Sequence, residues 1–222
     1  MKTFDIKKDW VIWVIIIIPF IYSALIYNQL PEQVPTHWDL EGRPDDYSSK
    51  FFGAFMMPLI NVGVYFLLLL LPKIDPRKRN YELFTGTYRA LRILIHSMFT
   101  AFYFVTVHGA MTGEAFSPKV FIITIFLFLA LMGNYLKNIK SNFFIGIRTP
   151  WTLDNKEVWK KTHELGGKIW FYTGLLAAFV TLILPEELIL YITIPVFIVI
   201  VFVPIVYSYF AFRELEKQNV QE

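Results

Sequence analysis

The chain has 222 residues, 55% of them hydrophobic and 18% aromatic, with a formal charge of +3 and a mean hydropathy of +0.48. Laid out in long uncharged runs, that balance excludes an ordinary soluble domain and specifies an integral membrane protein. The lack of cysteine excludes disulfides, zinc–thiolate sites and thiol nucleophiles. The small positive charge is divided among four segments, which fits membrane topology and anionic lipid rather than nucleic acid.

Six runs contain no Asp, Glu, Lys or Arg: residues 10–29, 51–72, 93–113, 120–136, 169–185 and 188–212. A spanning helix takes roughly 17–25 mostly apolar residues, and backbone groups in hydrocarbon must be bonded internally. The expected fold is all-α, a polytopic bundle of six transmembrane helices. Barrel strands would alternate in polarity over about 10 residues, and these runs are continuous. No small-residue cleavage site closes the first run, so it is expected to be a retained span. Pro19 in span 1 and Pro195 and Pro204 in span 6 are expected to bend their helices.

An even number of spans puts both termini on one side. With six, 18 of the 21 Lys and Arg residues fall on that side, against Arg43, Lys50 and Lys119. The basic side is therefore expected to be cytoplasmic, in a plasma membrane. Residues 1–72 are expected to form an N-terminal module with spans 1 and 2. Residues 73–222 are expected to hold spans 3–6 and a cytoplasmic loop at 137–168.

The first outer loop, 30–50, reads LPEQVPTHWDLEGRPDDYSSK, and its prolines and Gly42 specify turns. His37, Trp38, Asp39, Gly42, Arg43 and Asp45 are its candidate ligand-contact residues. His37 with Asp39, Asp45 and Asp46 can also be read as a cation site, but the spacing fits no calcium loop. A compact cap with Asp and Gly serving the backbone is the plain alternative. In span 3, Arg89, Arg92, His96 and Tyr103 share one helical face. Snorkelling of the two arginines to the cytoplasmic end competes there with a polar intrabundle site.

The long cytoplasmic loop contains NFFIGIRTPWTLDNKEVWKKTH at 142–163. Extension is expected at Thr149–Pro150–Trp151, with Asp154 as the N-cap of an amphipathic helix and Glu157 at its third position. Val158, Thr162, Leu165 and Ile169 fall on one face, and Glu157 pairs with Lys161. The helix is expected to lie on the inner leaflet and turn at Gly166–Gly167 into span 5. Spans 5 and 6 should form a hairpin about Pro185–Glu186–Glu187. Arg148 can grip a carboxylate or phosphate, and His163 can act as an acid or base. No nucleophile–base order, HExxH or phosphate loop accompanies them, so the chain is not expected to be an enzyme and calls for no cofactor or metal. A docking surface anchored by Trp151 and Trp159 is the functional reading, and a loop folded tightly over the helix ends is the structural one.

Two stretches carry a resemblance. The outer loop is similar to an N-terminal module of many bacterial membrane proteins, LP-x-x-(I/V)-P-x-H-(F/W)-(N/D)-x-x-G-x-x-D. The stretch from Asn142 through Gly146, Arg148, Thr149, Pro150, Trp151, Thr152 and Leu153 to Val158, Trp159, Thr162 and His163 resembles the signature of the SdpI family, immunity proteins against the sporulation-delaying toxin. The resemblance implies a membrane protein that protects its host from a toxin peptide. It also implies, more remotely, docking of a cytoplasmic autorepressor, with Asn142, Gly146, Arg148, Thr149, Pro150, Trp151, Trp159 and His163 as docking residues. A small-molecule or peptide transporter is the alternative, with the span 3 stripe as its pathway.

Overall fold

The computed structural model describes residues 6–39, 42–113 and 117–221. Lys2, residues 40–41 of the outer loop and residues 114–116 of the third loop lie outside that range. Six helices are long and apolar enough to cross a membrane, one for each uncharged run. They are α1 (Trp10–Ile26), α2 (Lys50–Ile74), α3 (Thr85–Thr112), α4 (Pro118–Leu136), α6 (Lys156–Ile183) and α7 (Ile189–Gln221), with a short α5 (Pro150–Asp154) between α4 and α6. The all-α architecture carries one addition. The outer loop folds as an antiparallel hairpin of β1 (Gln33–Trp38) and β2 (Pro44–Ser49). The register is irregular around His37, and Gly42 closes the turn at φ 76°.

The chain divides into two compact units. The first comprises Met1–Leu69 and Arg92–Thr124. Its apolar core sets Ile26, Leu30 and Val34 against Ala54, Tyr103, Val107 and Ala110, so the foot of β1 is pinned among α1, α2 and α3. A second cluster gathers Ile12, Ile16 and Tyr65, with the Trp13 ring tilted against Tyr65 at 4.5 Å.

The second unit comprises Leu70–Leu91 and Ile125–Glu222. Helices α6 and α7 pair as the expected hairpin, and the Trp170 indole donates to Ile200 O at 2.9 Å. Gly166–Gly167 does not turn the chain; α6 runs unbroken through it. The reason is packing. A Cβ on Gly167 would lie 2.8 Å from Gly133 O, and one on Gly133 would lie 2.7 Å from Phe171 N. Bare backbone is what lets α4 and α6 touch, and that contact outweighs the roughly 0.5–1 kcal/mol each glycine costs a helix. Pro19, Pro195 and Pro204 also sit inside continuous helices.

The start of α6 differs from expectation by one residue, and the difference has a cause. Thr149 is extended, as a residue before proline should be, but it serves as an N-cap. Its Oγ1 accepts from Thr152 N, and Thr152 Oγ1 accepts from Thr149 N. Pro150 and Trp151 are then helical, not extended, with Pro150 in the first turn where its missing N–H is harmless. Asp154 ends α5 instead of starting α6. Asn155, at φ −120° and ψ 125°, caps α6 by accepting from Glu157 N at 2.7 Å and Val158 N at 3.2 Å. Glu157 and Lys161 pair at 3.2 Å as spaced.

Candidate functional site

Three groups of residues carry the site chemistry. In the first unit, Asp9 sits just before α1 and Arg92 lies two turns into α3. Arg92 donates from Nη1 to Asp9 Oδ1 at 3.1 Å and from Nη2 to Oδ2 at 2.7 Å. Arg92 is 1% exposed and Asp9 4%, so this arginine is locked in a buried pair and does not snorkel. Tyr65 of α2 donates to Asp9 Oδ2 at 3.1 Å, and its ring lies 5.2 Å from the guanidinium. One turn on, His96 Nδ1 and Asn61 Oδ1 are 2.6 Å apart. Asn61 Nδ2 donates to His96 O and to Thr100 Oγ1, which donates to Ile15 O. Since the Asn61 amide nitrogen is committed as a donor, its oxygen must accept, and His96 carries its proton on Nδ1. Further along, Tyr103 donates to Ser23 Oγ, which passes its own hydrogen to Ala54 O, both at 2.6 Å.

Of the span 3 stripe, Arg92, His96 and Tyr103 are fully buried. Arg89 belongs to the second unit and is half-buried. Sequence reasoning missed Asp9, Asn61, Tyr65 and Thr100. A signal was present: Asn61 and Tyr65 stand four apart in an otherwise apolar run, the same interval that separates Arg92 from His96.

The hairpin gathers the second group. Asp39 and Arg43 close the turn through Arg43 N to Asp39 Oδ1 at 2.8 Å and Arg43 Nε to Oδ2 at 2.9 Å. His37 Nδ1 lies 2.6 Å from Asp45 Oδ1, with both side chains largely open to solvent. Trp38 is half-buried. Among the described residues no three His, Asp or Glu side chains converge as a metal cluster.

The third group is the connector between α4 and α6, all within the second unit. Asn142, fully buried, holds a tight turn: its Oδ1 accepts from Phe144 N and Ile145 N, and its Nδ2 donates to Lys140 O and Ile145 O. Gly146 follows at φ 111°, and a Cβ there would overlap His163 Nε2. His163, also fully buried, accepts from Ile147 N at 3.0 Å through Nε2 and donates from Nδ1 to Trp159 O at 2.8 Å. Trp159 stacks on that ring at 4.1 Å and donates to Ile139 O. Thr149 reaches Ser208 of α7 at 3.0 Å. Trp151 packs edge-on to Tyr209 at 5.1 Å.

Most of the signature therefore builds the connector from within. Trp159 and His163 are buried and present no anchor in this conformation, whereas Arg148, Pro150 and Phe143 are exposed. Four unanticipated residues from the segment after α2 hold the connector in place. Buried Asp75 accepts from Phe143 N at 2.9 Å, Arg77 N at 2.6 Å and Tyr81 Oη at 3.1 Å. Arg77 donates to Ser141 Oγ and to Leu153 O and lies over the Phe143 ring at 4.8 Å. Asn80 donates to Ser141 O at 2.6 Å.

Six spanning-length apolar helices, a structured hairpin and a structured basic connector define a multi-pass membrane protein. Residues 138–208 match the model of the SdpI/YfhL protein family, and residues 14–62 match a domain of unknown function, DUF1648. The chain is 24% identical over 212 residues to Immunity protein SdpI of Bacillus subtilis (strain 168), covering 94% of this chain and 98% of that one. It is also 38% identical over 52 residues to Uncharacterized membrane protein YbgB of the same strain, covering 23% of this chain and 57% of the relative. No solved structure matches. The C-terminal part of the chain is thus similar to the SdpI/YfhL family, and nearly the whole chain aligns with one immunity protein.

Proposed function

We propose that this protein confers immunity on its host bacterium against a membrane-acting toxin peptide, without catalysis. The observation that carries the reading is the alignment, over nearly the whole of both chains, with a relative named as an immunity protein. On this reading the basic connectors face the cytoplasm, as the Lys and Arg bias favours, and the hairpin faces outward. Toxin meets the hairpin at His37, Trp38, Asp39, Gly42, Arg43 and Asp45. Binding favours one of two states of the helices. The connector then presents a docking face for a cytoplasmic regulator, centred on Arg148 and Pro150. The buried members Asn142, Thr149, Trp159 and His163 and half-buried Gly146 shape that face, and Trp151 borders it. Expression in a toxin-sensitive bacterium tests protection: survival should rise, and unchanged killing at verified membrane levels rejects it. Crosslinking and co-purification with and without toxin tests docking; a regulator recovered equally from both samples rejects toxin-dependent capture.

A transporter is the second reading, and the buried Asp9–Arg92–Tyr65 cluster with His96 favours it, since ionisable groups inside spans often mark transport paths. Substrate-dependent flux in proteoliposomes supports that alternative, and its absence across candidate peptides rejects it.

A further inference from the structure

We propose that Arg148 and Phe143 form a seat for the phosphate of an anionic phospholipid, of the phosphatidylglycerol type. The inference does not rest on the immunity reading. It starts from an imbalance: buried groups hold this pair still, yet the pair performs no internal task that needs it exposed. On either side of Arg148 the backbone is fixed, by Ile147 N to His163 Nε2 at 3.0 Å and by Thr149 N to Thr152 Oγ1 at 2.9 Å. Its guanidinium is steadied by one bond, Nη1 to Phe143 O at 2.7 Å. No carboxylate pairs with it among the described residues, which leaves Nε and Nη2 for an external acceptor. Phe143 is held through its own N–H by buried Asp75, its ring faces Arg77, and 37% of it is exposed.

A planar fork of donors beside an aromatic face fits an oxyanion attached to an apolar body. The surroundings select for negative charge. Lys137, Lys140, Lys156 and Lys160 are exposed on the same connector and helix start, against exposed Asp154 and Glu157, of which Glu157 is taken up by Lys161. Lipid is favoured over an acidic protein segment by position. The connector leaves one spanning helix and enters another, so headgroup phosphates are the anions constantly at its depth.

Native mass spectrometry of the full chain, titrated with phosphatidylglycerol and with phosphatidylcholine, tests the seat. The wild type should retain phosphatidylglycerol preferentially. Arg148→Gln should bind it about tenfold more weakly, Arg148→Lys should fall between because it keeps the charge and loses the fork, and Lys140→Gln, which removes only long-range attraction, should weaken it far less than Arg148→Gln. Circular dichroism guards the comparison; if Arg148→Gln fails to accumulate folded, Arg148→Lys carries the test. Wild-type retention by the Arg148 variants overturns the proposal. Equal weakening by Lys140→Gln also overturns it, since attraction is then diffuse. Displacement of the lipid by a soluble ten-residue glutamate peptide overturns it in favour of a protein carboxylate.

Discussion

Arg92 and Asp9, 83 residues apart in sequence, meet as a two-pronged ion pair with almost no solvent contact. Removing one partner strands the other charge, at a cost of about 3–5 kcal/mol, whereas replacing both with apolar groups can be nearly neutral. Asp9→Leu and Arg92→Met should each lower stability by about that amount, and the double variant should recover most of it. Thermal melts in detergent report the result; additive losses refute the coupling.

Asn61 uses its oxygen and its amide nitrogen together, on His96 and Thr100. Asn61→Ala should cost about 1–3 kcal/mol, because His96 Nδ1 is left buried without an acceptor. Asn61→Ala in a His96→Leu background should cost measurably less. The same loss in both backgrounds would show that the pair does not act together.

Gly146 holds a left-handed φ against the edge of the His163 ring. Gly146→Ala should destabilise the connector by more than about 1 kcal/mol. His163→Ala is itself costly, because it strands Ile147 N, but in that background the added cost of Gly146→Ala should shrink without vanishing, since the overlap is gone and the backbone strain is not. Trypsin sensitivity at Lys140 and Arg148 is the readout, and no added cost in the His163→Ala background would locate the whole effect in the overlap.

Asp75 receives three donors. Asp75→Asn puts an amide donor where those hydrogens converge and removes the charge that strengthens the bonds. A loss of about 2 kcal/mol is expected, together with faster tryptic cleavage between residues 139 and 149. Cleavage at the wild-type rate counts against Asp75 as the connector's tether.

The two caps before α6 separate cleanly. Asn155→Ala should cost about 1 kcal/mol, and Asp154→Ala a few tenths at most. A larger loss at Asp154 would return the cap to that residue.

The six spans were legible because each is an unbroken run of apolar side chains, and burial in lipid asks for little more. The hairpin was harder to see: Pro35 in β1 and Pro44 in β2 argue for turns, and the strands are secured by Val34 packing on distant helices. Asp154 and Asn155 are both good caps by residue type, and only the extended backbone at 155 decides between them. Asn61 and Tyr65 were readable as a polar face of α2 and gained meaning once Arg92 and His96 stood opposite. Asp75 left no such trace, because two of its three donors are backbone N–H groups, which every non-proline residue carries.

At Gly133 and Gly167 main chain rests on main chain, with only the rigid Cβ atoms of Trp170 and Leu136 beside it and no flexible side-chain end to compress or change rotamer. The gap separating α4 from α6 is consequently a fixed dimension. Whatever rearrangement the C-terminal unit undergoes must move these two rods as one, and any yielding joint has to be sought elsewhere in that unit.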